Sequence, residues 1–383
     1  MPSRPRRTPG GLQRVIYTLR TEGGSRSREA WAIGLGLFIG CSPLIGLHLA
    51  MCVAAGMLFG LNRLKLYLAA NLVNPFVLPA VLFAEVQAGA LVTRGAMYPV
   101  SLSAFRSLDP WQFGFDLLLG SFIVGGIVGA AGGLAAFVSL GRAYRDPVFT
   151  KLVRAAADRY IGTSVTAWEF ARAKLRNDPV YRAVLLSGML PQSGHLVDVG
   201  CGQGLLLTLI AEARVFAAAG EWPNDWPPAP VHLQLTGIEL RPRPAALARH
   251  ALGDAAQIHT GDARQMPVDS ADVITVFDVL HLIDPAAQEA LVARLAAALR
   301  SGGVLLVREA DAGASWRFQM VRLGNRLTAL AQGRFRARLS FRRADEWMAL
   351  LRAQGLSVDV AAMGEGTPFG NVLLACRKDR RKD

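Results

Sequence analysis

Four glycines, six carboxylates and one imidazole fall in or just after apolar runs of the chain where these give way to turns. His195–Val199 is an apolar run holding Asp198, and Gly200-Cys201-Gly202-Gln203-Gly204 follows it directly. Glycines there let the backbone come close to a bulky ligand and turn sharply into the next helix. Dinucleotide sites use a similar Gly-x-Gly-x-x-Gly loop, but here the third glycine arrives one residue early. Glu239 ends the next apolar run, Asp262 follows Gly261, and Asp278 with His281 three residues on follows Asp272–Phe277. Glu309 and Asp311 follow Val304–Arg308. Carboxylates so placed can accept from a ligand's hydroxyl and amino groups, and an imidazole can take a proton from an acceptor hydroxyl. The four cysteines form no Cys-x-x-Cys pair, which argues against a zinc ribbon, a thioredoxin-type motif or a disulfide scaffold. No metal-ligand spacing stands out.

These residues need a scaffold, and alternating elements provide one. Lys151–Arg159 and Ala167–Arg176 have helical patterns, and Asn177-Asp178-Pro179 starts a short helix expected to run to Leu190. Strands are predicted at His195–Val199, Leu233–Glu239, before Gly261, and at Asp272–Phe277, Val304–Arg308 and Val372–Cys376. Helices fall between them at 205–211, 242–252 and 285–300. This alternation predicts a mostly parallel, doubly wound sheet with its ligands at the carboxyl ends of the strands.

The Val197–Gly204 segment resembles motif I of class I S-adenosylmethionine-dependent methyltransferases. Thr-Gly-Ile-Glu239, Gly261-Asp262-Ala263, the Asp272–His281 segment and Leu299-Arg-Ser-Gly-Gly-Val-Leu-Leu-Val follow in that family's order. The resemblance covers about 195–380 and implies a Rossmann-like α/β domain with a seven-stranded, mostly parallel sheet containing one reversed strand. It implies S-adenosyl-L-methionine as cofactor, held by Asp198, Gly200, Cys201, Gly202, Gly204, Glu239, Leu240, Asp262, Ala263 and Asp278. Glu239 would accept from the ribose hydroxyls and Asp262 from the adenine amino group. The family's mechanism is direct in-line methyl transfer from a sulfonium. For a hydroxyl acceptor His281 is the candidate base, packing being its other role, and Glu309 is a second candidate catalytic group. Asp311 shares its edge, as either a substrate contact or a solvated loop residue. Motif IV reads Phe-Asp-Val-Leu rather than Asn-Pro-Pro-Tyr, which points away from exocyclic-amine acceptors and toward small-molecule or lipid-like ones.

The first 142 residues have another character. Apolar residues make up 52% of the chain, charged residues 19%, and mean hydropathy is +0.29. Both point away from a wholly soluble protein. Trp31–Leu61 carries no charge, Leu66–Thr93 carries only Glu85, and Leu117–Gly141 carries none. About 20 apolar residues span a bilayer, so these runs predict transmembrane segments. The first is too long for a signal peptide. Ser42-Pro43, Asn74-Pro75 and Leu78-Pro79 interrupt the runs and predict kinks or re-entrant segments. His48 and Glu85 are the ionisable residues deep within them, and either a functional or a merely satisfied role fits. The residues 34–48, Leu61-Asn-Arg63 and Asn74-Pro-Phe76 resemble a bacterial membrane family, domain of unknown function 2062, over roughly 15–140. Seven arginines in residues 1–30 and Arg142 with Arg145 place both flanks in the cytoplasm, which requires an even number of crossings although three runs are counted.

The expected organisation is a basic cytoplasmic segment (1–30), a helical transmembrane domain (31–142), a helical linker (143–194) and a methyltransferase domain (195–383). The predicted location is the bacterial inner membrane, multi-pass, with the enzyme on the cytoplasmic side. The net charge of +13 fits an anionic partner, but much of it sits at membrane flanks, so membrane lipids are expected and nucleic acid is not. Oligomeric state stays open. Membrane transport or scaffolding with an attached regulatory methyltransferase is the alternative. Two insertions could set specificity. Glu221–Pro230 reads as a rigid proline-rich loop. In 312–345 Trp316, Met320, Leu323, Leu327 and Leu330 share one helical face, flanked by Arg317, Arg322 and Arg326 and followed by Arg334, Arg336, Arg338, Arg342 and Arg343. That face is expected to cap the catalytic core as a lid. Lying on an anionic membrane, or gripping an acyl-phosphate or headgroup with the arginines, are its other readings. The basic C-terminal cluster is expected to be a solvated or membrane-facing tail.

Overall fold

The structure is a computed structural model describing residues 11, 17, 25–74, 76–99, 109–141, 146–331, 339–364, 367 and 369–379. It divides into two compact units, one ending at Asp146 and one beginning at Pro147.

The first unit is helical: α1 (Arg26–Gly40), α2 (His48–Phe59), α3 (Arg63–Ala70), α4 (Leu78–Arg94) and α5 (Pro110–Gly141). The sequence predicted three runs; the first two are each broken. Helix α1 stops at Gly40, and the turn through Pro43 is stabilised by the Ser42 hydroxyl, which accepts from Leu44 N at 3.2 Å. Proline cannot supply the amide that would continue the ladder. The second run breaks after α3, where the Asn74 side chain accepts from Phe76 N (3.0 Å) and sets the turn into α4. The third run is α5, about 48 Å long at 1.5 Å per residue. Among the described residues α5 is the one helix long and apolar enough to cross a membrane by length and composition. Pro75, Arg142 and Arg145, on which the re-entrant and topology readings partly rest, lie outside the described residues.

Glycine lets the helices of this unit touch at backbone distance. A Cβ on Gly34 would lie 2.7 Å from the Gly129 carbonyl, and one on Gly120 would overlap the Glu85 carbonyl. Such small-residue seams suit association in lipid, where apolar burial gives no driving force. The outward faces are apolar: Leu58, Phe76, Trp111, Phe122, Ile127, Leu134 and Val138 are all exposed.

The second unit opens with α6 (Pro147–Asp158), α7 (Val165–Asn177) and α8 (Pro179–Leu186). The last of these ends four residues short of the expected Leu190. The alternating part follows: β1 (Ser193–Val199), α9 (Leu205–Ala218), β2 (His232–Glu239), α10 (Pro242–Leu252), β3 (Gln257–Thr260), β4 (Ala271–Phe277), α11 (Pro285–Ala298), β5 (Leu299–Ala310), α12 (Ser315–Ala331), α13 (Ala344–Ala353), β6 (Leu356–Ala362) and β7 (Asn371–Lys378). The sheet order is β3-β2-β1-β4-β5-β7-β6; β1 to β5 pair in parallel and β7 is antiparallel to both neighbours. It is the seven-stranded, mostly parallel sheet with one reversed strand that the resemblance implied. Val197, Val199, Ile274, Val276, Leu305 and Val307 fill its core, near-continuous apolar strands of the kind a doubly covered sheet needs. The order reverses between β1 and β4, which opens a crevice at the carboxyl ends of these strands.

The proline-rich loop 221–230 is fixed by Trp222, which packs edge-on to Trp226 (centroids 4.9 Å) and donates from Nε1 to Pro227 O (2.9 Å). Helix α12 forms as its periodicity predicts but contradicts the expected lid face. Trp316 (60% exposed), Met320 (39%) and Leu323 (52%) point outward, while Val321 is buried and Phe318 packs edge-on to Phe341. The helix is anchored by the residues between the expected stripe. Arg334, Arg336 and Arg338 and the side chains of Arg326, Leu327 and Leu330 lie outside the described residues.

Candidate active site

The turn after β1 is built on positive φ. Gly200 has φ +74° and Gly202 φ +57°. At Gly200 a side chain is barred twice, by φ and by Val279, whose Cγ2 would lie 2.2 Å from a Cβ. At Gly202 a Cβ would meet nothing within 4 Å, so this glycine faces open space. The loop is tied down from below: Gly200 N and Cys201 N donate to Ile238 O at 2.7 and 3.1 Å, and Gly202 N donates to Glu239 Oε2 at 2.9 Å. The Cys201 side chain packs toward Gly237 of β2, so its backbone, not its thiol, lines the loop. Burial holds that thiol well above its ordinary pKa. Gly200→Ala is expected to cost about 1–3 kcal/mol by backbone strain and the Val279 clash, read as a lower midpoint in urea unfolding with unchanged m.

Asp198 is buried in β1 and accepts from the Thr275 hydroxyl of β4 at 2.7 Å. Burial pushes its carboxyl up to about 7; the Thr275 bond opposes this and the nearby Glu239 charge adds to it. Glu239 is also buried, and its other oxygen accepts from Arg241 N and Nε, each at 3.0 Å. Asp262 is clasped by Arg264, with Nε at 3.0 and 2.9 Å from its two oxygens and Nη2 at 2.6 Å. That bond holds the Asp262 carboxyl below its usual range. Each of these two carboxylates is thus held by the arginine two residues later, a partner the sequence reading did not name. Leu240 is exposed beside Glu239. Ala263 uses its carbonyl to accept from Arg294 Nη1 at 3.0 Å.

At the end of β4 Asp278 has φ +58°, the one positive-φ non-glycine among the described residues. Its amide donates to Arg308 O at 2.9 Å. The buried Arg308 guanidinium of β5 bonds Asp278 with one nitrogen and Asp178, the N-cap of α8, with the other at 3.0 Å. Lys174 reaches the same Asp178 oxygen at 2.7 Å. This bridge, spanning 130 residues of sequence, pins the leading helices to the switch point. Sequence reading missed Arg308, Asp178 and Lys174.

Glu309 lies near the end of β5, beside His281. One of its oxygens accepts from Leu280 N and the other pairs with His281 Nδ1, both at 2.7 Å. Against a carboxylate Nδ1 carries the proton, which leaves Nε2 as an acceptor; no described residue is bonded to it. The ring stacks on Phe341 with centroids 5.1 Å apart. Burial opposes the imidazolium, but the charge and hydrogen bond of Glu309, with Asp278 behind, outweigh it and hold the ring above its ordinary pKa. Asp311 is spent on the backbone: it accepts from Gly313 N (2.8 Å) and Ala344 N (3.0 Å). Both bonds use Oδ1 and fix the turn after β5.

A glycine turn facing open space, a buried carboxylate with one partner and two clasped acids along neighbouring strand ends form one row. Residues 168–360, half of the chain, match the family described as methyltransferase domain. The chain belongs to that family. Residues 12–145 match the family described as uncharacterized protein conserved in bacteria (DUF2062). The chain is 30% identical over 177 residues to a carboxy-S-adenosyl-L-methionine synthase of Chromohalobacter salexigens, and 30% over 172 residues to one of Dichelobacter nodosus. Each match covers 43% of this chain, and 60% and 67% of the relatives' lengths. A solved O-methyltransferase family 2 protein from Planctomyces limnophilus, in complex with apigenin, aligns over 97% of both chains at 18% identity and TM-score 0.41.

The domain is S-adenosylmethionine-dependent, and its own geometry fits that cofactor. A cation beside Asp198 restores the charge that burial suppresses, and S-adenosylmethionine carries both an ammonium and a sulfonium. The open space above Gly202 leaves room for its bulk. When bound, the cofactor supplies a methyl group activated by its positive sulfur.

Proposed function

We propose that this protein is a membrane-anchored methyltransferase that moves the methyl group of S-adenosyl-L-methionine to a hydroxyl of a small or lipid-like acceptor. Asp198, the Gly200–Gly204 backbone, Glu239 and Asp262 hold the cofactor, and Asp278, fixed by Arg308, shapes the floor between cofactor and acceptor.

The observation that carries the reading is the His281–Glu309 pair. Glu309 orients the ring through Nδ1 and balances the imidazolium that forms, while Nε2 takes the hydroxyl proton. Phe341 and α12 shield the pair from water on one side. The outward Trp316, Met320 and Leu323 with Arg317 and Arg322 support a lipid-like acceptor, because an apolar face beside cations suits an anionic lipid surface. The apolar outer faces of the helical unit and the length of α5 support the anchor. Tethering confines the enzyme's search to acceptors in the same membrane. Positive charge at both flanks supports a cytoplasmic methyltransferase domain.

The curated relatives are named for making carboxy-S-adenosyl-L-methionine. A carboxylic acid substrate would seek a cation, and the buried Arg308 has both terminal nitrogens committed to Asp178 and Asp278, with only its Nε lacking a described partner. The site therefore favours a hydroxyl. The experiment is methyl transfer from labelled donor by full-length protein to membranes and their lipid extract. Label in an organic-soluble species supports the reading, and a carboxylated cofactor as sole product overturns it.

A further inference from the structure

The helical unit buries two carboxylates in one seam and treats them differently. Helices α4 and α5 run antiparallel at backbone contact. A Cβ on Gly120 would lie 1.7 Å from the Glu85 carbonyl, and one on Gly89 would lie 1.8 Å from the Asp116 carbonyl. Glu85 and Asp116 therefore sit about one helical turn apart, and both are fully buried. Asp116 is satisfied as an anion: Thr93 Oγ1 donates at 2.6 Å, Tyr98 OH at 2.8 Å and Gln112 Nε2 at 2.8 Å, with Arg94 at 3.5 Å. Among the described residues Glu85 has no hydrogen-bond partner on either oxygen.

The groups around Glu85 do not compensate its charge. Asp116 on α5 is itself an anion. Arg94 on α4 is engaged by Asp116 and lies over the Tyr98 ring. Cys41, the C-cap of α1, is within electrostatic reach and brings no cation. The His48 ring is bonded to the Ser42 carbonyl at 3.0 Å, and Lys65 is paired with Glu29 at 2.7 Å. The C-terminal end of α1 is the negative end of its dipole, which disfavours a second negative charge. The glycine seam leaves no room for the helices to close over the carboxyl in another way. A buried anion there, with no described donor, is a costly state for such a group.

We propose that Glu85 is a proton-binding site of the membrane region: its carboxyl holds a proton at rest and exchanges it when the α1–α4–α5 seam opens. The step is a bare equilibrium between the carboxylic acid and carboxylate plus a proton. It gives the helical unit a titratable element of its own, separate from methyl transfer. This inference rests on the membrane reading above.

The test uses full-length protein in lipid vesicles with dicyclohexylcarbodiimide, which adds to protonated carboxyls in apolar surroundings. Peptide mass should show the adduct on Glu85 and not on Asp116, fading as pH rises. In infrared difference spectra between acid and alkaline buffer, the carboxylic-acid carbonyl band should be weaker in Glu85→Gln than in the wild type, the remainder coming from Asp198 and surface carboxyls. Glu85→Gln should still reconstitute and bind S-adenosylmethionine, which shows that it folds. Preferential labelling of Asp116, or an unchanged carbonyl band in Glu85→Gln, overturns the proposal. Release of the wild type from membranes by alkaline carbonate would instead overturn the membrane reading, and the infrared comparison on the released protein would still decide the protonation of Glu85.

Discussion

Asp198→Asn is expected to weaken S-adenosylmethionine binding by one to two orders of magnitude while making the ligand-free domain more stable. The two effects share one cause. Asp198 is buried with a single hydrogen-bond partner, and its carboxyl sits at about 7 in the fold, against about 3.9 in an unfolded chain. A raised carboxyl pKa means that the folded state binds the proton more tightly than the unfolded state. Folding is then favoured by this group at low pH, and stability is lost as pH rises from about 4 to about 7. Asparagine keeps an oxygen for Thr275 and never ionises, so the ligand-free variant should melt higher than the wild type at pH 8. It cannot offer a charge to the cofactor, and a charge-assisted bond contributes about 1.5–3 kcal/mol. The same logic fixes the pH dependence of binding. Affinity of the wild type should rise with pH up to about 7 and then level off, by at most about tenfold per unit for one proton, and Asp198→Asn should show no such rise. Calorimetric titration with parallel thermal melts checks both. Equal affinity in the variant would remove Asp198 from the cofactor site.

His281→Ala is expected to lower turnover by about 10²–10⁴-fold, the usual contribution of a positioned base, with cofactor affinity unchanged. A lost packing contact would not separate kcat from binding in this way. The sharper test is the pH profile. As base, the ring must be neutral, so activity should rise through its folded pKa, which Glu309 and Asp278 hold above 6.5 despite burial. Glu309→Gln removes the charge that supports the cation, so the acidic limb should move to lower pH while the maximum falls. An acidic limb unmoved in Glu309→Gln would show that the pair does not set the protonation of the base. The linked stability has the same sign as that of Asp198, since both groups bind the proton more tightly in the fold, but it falls in a higher pH window. The His281–Glu309 ion pair stabilises the fold below the ordinary imidazole pKa, and this is lost as pH rises through the raised one.

Much of the second unit could be read from residue order. The glycine turn, the acids ending β2 and following β3 and β4, and the apolar alternation are local patterns, and they specify the sheet and its open edge. The clasping arginines had a signal, Glu239-x-Arg241 and Asp262-x-Arg264, but that spacing is common in loops and becomes meaningful only once both acids share one edge. The Arg308 bridge had none, since its partner Asp178 lies 130 residues away and reads as a helix cap. Periodicity placed α12 correctly and misplaced its buried side. A repeat of four and three says that residues share a face, not whether protein, lipid or water lies against it. In the helical unit apolar runs mark where segments begin, whereas the breaks after α1 and α3 depend on how Pro43 and Asn74 turn the chain.

The most direct measurement of the account incubates full-length protein with methyl-labelled S-adenosylmethionine, membranes and lipid extract, and identifies the labelled product by mass spectrometry. Wild-type protein should place the label as a methyl ether on one organic-soluble species, and His281→Ala, with cofactor binding intact, should leave that species unlabelled. A carboxylated cofactor as the sole labelled product, or equal labelling by His281→Ala, would contradict it.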